Sequence, residues 1–472
     1  MESYGNSLTR LAITTAWLTL SGPALAGGFA LVTSDADSGP GTLRDALETQ
    51  EATRIKIPGR IGDILINSTL LYSAEEPLTI IGSGQTIYTE ANTTLIEISN
   101  GADLTIRNLH FEGPGGFSIS NRGDLDGQGQ EIDAGKGIFV DVRDDQSGMV
   151  SVNLTNVSVK GVANHGIHVS DCSLADDCGG GSGGGGEGSD ASIQIICTHC
   201  RVDDAGNGKF DADGIRIDER GQGSIYALLK SSAFNNVGAD GVEVDEGNDG
   251  GVYIVAVNTD FSDNGGYCDP DILAPFVPDD AEYADGEVEE DAVLIPSGSP
   301  DDTCIETEIS LYDSGFVEEV EYGLDLDDGI DGDEAGAGSL WVSMVNSTID
   351  RNLDEGVDMD EADSGDIVAS YIGTHASMNN DDGFKMTEED DGGMYGTVRG
   401  SSATLNGGKG FVFEEEDAGD LQVSVRGTKT AGNDDSDDTG IEAVQEVPGV
   451  GSLDVRGSKI SDGIDLDGVT RR

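Results

Sequence analysis

Along much of this chain apolar and polar residues alternate in short bursts, and the bursts return at a constant step. Gly214 and Gly241 are 27 residues apart, and Gly329, Gly356, Gly383 and Gly410 follow one another at the same interval. Counted from each glycine, positions +1 and +3 are apolar, as in Ile215 and Ile217, Val242 and Val244, Val357 and Met359, Phe384 and Met386, Phe411 and Phe413. Positions +2 and +4 are mostly polar, which predicts a strand with one face in a core and the other in water. Gly332 breaks the pattern at +3 of its coil. A second apolar run follows in each repeat (residues 340–344, 367–370 and 421–425), then a turn with an asparagine: Asn236, Asn264, Asn352, Asn379, Asn406 or Asn433. One unit repeated at one period predicts a solenoid whose equivalent residues stack into columns. Short strands with three per coil predict an all-β, parallel β-helix. About a dozen coils at ~4.8 Å each would give a rod of about 60 Å. The asparagine column reads as a structural hydrogen-bonded ladder.

Residues 54–120 carry further short strands punctuated by Gly82, Gly84, Asn100 and Gly101. Ahead of them lies Asp37-Ser38-Gly39-Pro40-Gly41-Thr42-Leu43-Arg44-Asp45-Ala46-Leu47. The first five residues predict a turn, and Thr42 is placed to cap a short helix that lays Leu43 and Leu47 over the first coil. A solenoid end needs such a cover, because open strand edges pair with other chains. This segment resembles the N-terminal signature of bacterial secreted and surface right-handed parallel β-helix proteins, with Thr42 where serine is usual. Residues 103–109 and 113–116 are similar to coils of the pectate-lyase-like superfamily. The resemblance implies the right-handed β-helix fold and leaves activity open, since the fold hosts many.

Two stretches interrupt the period, at about 171–200 and 266–323, and are expected to be inserted loops on a single β-helix domain spanning 27–472. Residues 1–26 have the form of a secretory signal: Arg10 closes a short n-region, residues 11–20 are apolar, and Ala24-Leu25-Ala26 precedes the expected cleavage. The chain is therefore expected to be secreted or held at the cell surface. Six cysteines in an exported chain predict disulfides, most simply Cys172–Cys178, Cys197–Cys200 and Cys268–Cys304. A zinc site built from Cys172, Cys178, Cys197 and Cys200 is the alternative.

Charge narrows the partners. With 91 acidic against 25 basic residues, the formal net charge is −66. Nucleic acid and anionic membranes would be repelled, whereas multivalent cations are favoured. Carboxylates recur at +4 (Asp218, Asp245, Asp333, Asp360) and at +5 (Glu219, Glu246, Glu334, Glu361). Like charges stacked one coil apart repel, so calcium, a hard cation taking six to eight oxygens, is the expected ligand of these columns. A singular set lies at +2, where His168, Arg216 and Glu243 succeed one another, with Lys385 as a weaker candidate further along. Arginine or histidine could serve as the base of a β-elimination, with carboxylates holding calcium. Two functions follow. One is an exported, acidic, calcium-binding rod that engages a polysaccharide or cell-surface ligand. The other is a secreted lyase or epimerase acting on acidic polysaccharide through His168, Arg216 and Glu243.

Overall fold

A computed structural model of the chain describes residues 28–118, 135–172, 188–293, 304–433, 439–446 and 448–472. The predicted alternation is realised as two large sheets in which every pairing is parallel, the pattern of a parallel β-helix. The repeat-glycine strands form a 12-stranded sheet running from Leu70–Tyr72 to Ile464–Asp467, one strand per coil. The other large sheet has 23 strands and takes up the rest of each coil, for example Val252–Val257 followed by Asp260–Ser262. The expected signal segment lies outside the described residues.

The repeat glycine is required by close backbone approach. A Cβ on Gly214 would sit 2.3 Å from the carbonyl oxygen of Gly241, and one on Gly241 would sit 2.4 Å from that of Gly329. The bend between the two strands of the larger sheet needs a left-handed residue. Asn258 and Asn346 supply it in the middle coils, then Gly373, Gly400, Gly427 and Gly457 take over. Inside, +1 and +3 side chains stack coil on coil, as in the parallel rings of Phe384 and Phe411, 4.7 Å apart.

The asparagine column is a buried ladder. Each Nδ2 donates to the next Oδ1, from Asn264 to Asn352 (3.1 Å), Asn379 (3.0 Å), Asn406 (3.2 Å) and Asn433 (2.9 Å), and finally to the carboxylate of Asp462 (2.7 Å). Asn236 is not in it: that residue is exposed with φ 56° and bonds Asp203 instead. The N-terminal cover forms as a helical turn at Asp45–Thr49. The Thr42 hydroxyl accepts from the Asp45 N–H (3.1 Å), and Leu43 and Leu47 are buried.

The first expected insertion is shorter than predicted. Asp190–Thr198 is a regular strand paired on both sides, so residues 188–200 belong to the stack. The second insertion is a small unit of its own. An antiparallel sheet (Ala281–Glu282, Val317–Leu324, Ile305–Leu311) is tied down by the Cys268–Cys304 disulfide over a minor core of Tyr267 and Leu273. Cys197 and Cys200, expected as a disulfide or as zinc ligands, are free thiols inside the main core, where burial pushes the Cys197 thiol up and keeps it protonated. Cys172 is disulfide-bonded, and its expected partner Cys178 lies outside the described residues.

Candidate functional site

The outward face of the 12-stranded sheet carries the polar columns, and register decides which of them meet. Ile167–Ser170, Ile215–Glu219 and Val242–Glu246 pair so that His168 stands beside Arg216 and Arg216 beside Glu243. The predicted trio is thus assembled by the stack. It is not in water as expected: His168, Arg216 and Glu243 are each less than a tenth exposed. The polar groups pack on one another. Arg216 donates through Nε to Asp218 (2.7 Å), reaches Asp245 (2.5 Å) and Asp211 (3.3 Å), and is ion-paired with Glu243. Arg220, fully buried, adds a second bond to Asp245 (2.8 Å).

Two residues the sequence reading passed over complete this cluster. Lys136 bonds His168 Nδ1 and lies 4.4 Å over the Phe139 ring. His165 packs against His168 with centroids 4.6 Å apart and ring planes tilted by 50°, and its Nδ1 accepts the N–H of Asp213 (2.9 Å). Burial, then Lys136, lowers His168 to about 4, so it is neutral and presents Nε2–H to Asp218 (2.8 Å). Burial, then Lys209, lowers Lys136 to about 7. Burial works to raise Asp218, but Arg216 and His168 hold it well below the carboxylate range. Lys136 and His165 each directly precede a repeat glycine, Gly137 or Gly166, and so head the column that continues with Asp213, which is the sequence signal that could have found them.

The eight carboxylates expected to hold calcium do not form one site. Asp218 and Asp245 are already bound to arginine, and Asp218 also to His168. Glu219, Glu246, Glu334 and Glu361 leave the outward face altogether and are 0–1 % exposed. They lie with Glu388 and Glu415 in an inner ladder, each beneath the glycine four residues on; a Cβ on Gly338 would meet Glu334 Oε1 at 2.0 Å. From Glu219 to Glu388 the carboxyls face one another coil to coil, and both oxygens of Glu246, Glu334, Glu361 and Glu388 are buried without a donor. A bond between two carboxyls needs a proton on one partner. Burial raises Glu219 to about 10, Glu334 to about 9, and Glu246, Glu361 and Glu388 to about 8. In the next coil Gln445, paired in register with Glu415, ends the ladder by accepting from the Leu421 N–H (2.7 Å). Glutamine has the shape of a protonated glutamate, which fits a ladder held by shared protons.

The acidic clusters lie elsewhere, in the column just before the repeat glycine and in the +2 column. Asp211, Asp213 and Glu243 form one group, Asp240, Glu243 and Asp331 a second, Asp328, Glu355 and Asp358 a third, and Asp354, Glu355 and Asp381 a fourth. Within each group the carboxylate oxygens lie within 4.8 Å of one another. Arg216 touches this run at Glu243. Lys385 closes it at the other end, bonding Asp358 (2.8 Å) and Glu355 (3.4 Å). Between those cations stand Asp240, Asp328 and Asp331, all pushed well above the carboxylate range by burial and by one another. Asp328 is 7 % exposed, and its Oδ1 has no hydrogen-bond partner. Asp333 and Asp360, from the expected set, flank this run and are raised in the same way, Asp360 to about 7. The second insertion rejoins the coils here through Asp325 and Asp327, both raised by burial and neighbouring carboxylates. The site therefore joins two kinds of chemistry: a cation-rich cluster at Lys136–Arg216, and a run of uncompensated carboxylates ending at Lys385.

No family model and no curated protein matches the chain. Among solved structures it is similar to the GH136 lacto-N-biosidase from Eubacterium ramulus, at 11 % identity and a TM-score of 0.40, over 94 % of this chain and 68 % of that one. A likeness that distant carries no argument about the site, and it leaves the resemblance to the pectate-lyase-like superfamily resting on residues 103–109 and 113–116.

Proposed function

We propose that this is an exported extracellular or cell-surface β-helix protein that binds calcium on its acidic face and, through it, engages a carbohydrate or other surface ligand. The observation that carries the reading is the pair of clusters Asp240–Glu243–Asp331 and Asp328–Glu355–Asp358, the second with a buried oxygen of Asp328 that lacks a donor. A row of buried carboxylates must be protonated or neutralised by a cation. An all-oxygen, acidic set without histidine or thiolate suits a hard cation of flexible geometry, calcium before zinc. Carboxylates rarely complete a shell of six to eight oxygens, and the vicinal hydroxyls of a sugar can supply the rest. Isothermal titration of the purified chain with calcium chloride tests this directly. Binding heat that is lost in Asp328→Asn supports it. No heat, with thermal unfolding unchanged by EDTA, rejects it.

A second reading is favoured by the Lys136–His168–Asp218–Arg216–Glu243 cluster. In a lyase or epimerase, a base takes the proton α to a uronate carboxyl while a cation neutralises that carboxyl. In elimination the glycosidic C–O bond then breaks and leaves an unsaturated end. Lys136, lowered to about 7, is better matched to the base than His168, and Arg216 to the neutralising role. Ultraviolet absorbance from unsaturated ends on a panel of acidic polysaccharides would support the lyase form, provided that Lys136→Ala loses it without loss of fold. Silence across the panel would count against it.

A further inference from the structure

The larger sheet presents a face at odds with the rest of the molecule. Eight successive coils stack the strands Asp190–Thr198, Ile225–Lys230, Val252–Val257, Leu340–Val345, Asp366–Ile372, Gly393–Arg399, Gln422–Arg426 and Gly451–Arg456 in strict register. Their three central outward columns begin at Gln194, Ile196 and Thr198 and end at Ser452, Asp454 and Arg456. Asp454 is the one carboxylate in them, in a chain with 91 acidic residues. Asp190 and Asp366 stand only at the border, where their strands begin. The first column is largely aromatic and apolar, whereas the middle one turns from Leu228 and Val255 to Ser343, Ser370, Thr397 and Ser424. Tyr253, Trp341 and Tyr395 follow in one column, Leu228 and Val255 in the next, and Ile372 beside them, each more than a third exposed. Tyr226 and Tyr253 stack at 4.9 Å with planes 6° apart, presenting ring edges outward from a flat surface. Basic residues take the third column, with Lys230 near one end and Arg399, Arg426 and Arg456 in consecutive coils at the other. Asp454 bonds two of those arginines.

We propose that this face is the interface of a homodimer, in which two copies pack sheet against sheet. Two arguments choose a second copy as the occupant. The first is area. Eight strands ~4.8 Å apart with three outward residues each span about 800 Å², which is the per-partner burial of a stable, specific interface. The second is charge. Two copies with a net charge of −66 each repel over the rest of their surfaces, and this acid-poor face is where they can approach. Its composition is that of an interface, with an aromatic and apolar column beside small hydroxyl residues and arginines along the far edge. A two-fold axis through it sets the same patch on itself, as an isologous dimer requires.

Sedimentation equilibrium of the full chain tests this. The expected mass is twice the monomer's 48.9 kDa at micromolar concentration. Dimerisation should tighten at least tenfold from low to high salt, because salt screens the mutual repulsion. The double substitution Val255→Glu and Trp341→Glu, on outward positions that leave the core untouched, should return the chain to a monomer at unchanged circular dichroism. A second pair on the face, Leu228→Glu and Ile372→Glu, should do the same. A monomeric parent chain at all salt concentrations overturns the proposal. So does a dimer that survives both pairs, which would place the contact elsewhere. A monomer that binds a glycan through this face also overturns it.

Discussion

The inner glutamate ladder and the outer acidic run are built from the same functional group at the same coil spacing, and they solve its repulsion in opposite ways. Glu219, Glu246, Glu334, Glu361 and Glu388 stand carboxyl against carboxyl with protons raised onto them by burial, sealed under a row of glycines. Asp240, Asp328 and Asp331 belong to neighbouring oxygen clusters, and the bonds from coil to coil there run from backbone to carboxylate, Asp240 N–H to Asp213 (3.1 Å) and Asp328 N–H to Asp240, with Asp328 Oδ1 left without a donor. Protons satisfy the first arrangement. For the second we propose a metal ion. A stacked acidic column is therefore not in itself a metal site; the face of the strand it occupies decides which it becomes.

Several measurements would break or sharpen that contrast. The largest effect belongs to the junction between the two chemistries. Arg216→Ala strips the counter-ion from Asp218, Asp245 and Glu243 inside the protein, and a loss of about 3–5 kcal/mol in denaturant unfolding is expected. A loss below ~1 kcal/mol would mean that water reaches these groups. Next comes alkaline pH. The ladder's folded pKa values, about 8 to 10, lie above the ordinary glutamate value of 4.5. The folded chain thus holds the extra protons, and stability is complete at low pH and falls as pH rises through 8 to 10. A drop in Tm of about 10 °C between pH 6 and pH 10 is expected, and calcium should leave the ladder's share of it unchanged. Calcium that abolished the whole drop would place the ion in the ladder after all. Asp328→Asn should weaken calcium binding about tenfold, or ~1.4 kcal/mol, with little change in Tm when calcium is absent. The smallest effect is expected from Glu334→Gln. It should cost under about 1 kcal/mol at pH 6 and narrow the alkaline loss, as the natural Gln445 at the ladder's end suggests. Strong destabilisation by that substitution at pH 6 would show that the ladder needs charge.

Much of the fold was legible. The step of 27, with apolar residues at +1 and +3, states the strand, its inward face and the parallel stacking, because coils of equal length bring Gly329, Gly356, Gly383 and Gly410 into backbone contact. The trio His168, Arg216 and Glu243 was legible for the same reason: columns follow from register. The misreading of Glu219 and its successors as exposed had its correction in the same pattern. An alternation that turns +1 and +3 inward turns +5 inward as well. Polarity was read as exposure, although carboxyls can share protons when they are stacked. Lys136 and His165 were open to the same logic, since they directly precede Gly137 and Gly166 and head the column that continues with Asp213 and Asp240, but that column was not read. The thiols Cys197 and Cys200 were misassigned from compartment and spacing. Their side chains belong to a core that has no room for another role.

The asparagine ladder carries a further consequence for how such a molecule changes over generations. Asn264 and Asn352 are 88 residues apart, Asn352 and Asn379 only 27, yet the same bond joins each pair at nearly the same length. The ladder counts coils and ignores the chain between them. Extra sequence can thus be spliced out sideways between two rungs, or a whole rung duplicated, without any other coil having to readjust. Lineages built on this plan can lengthen the rod and redecorate its flanks as separate inheritances.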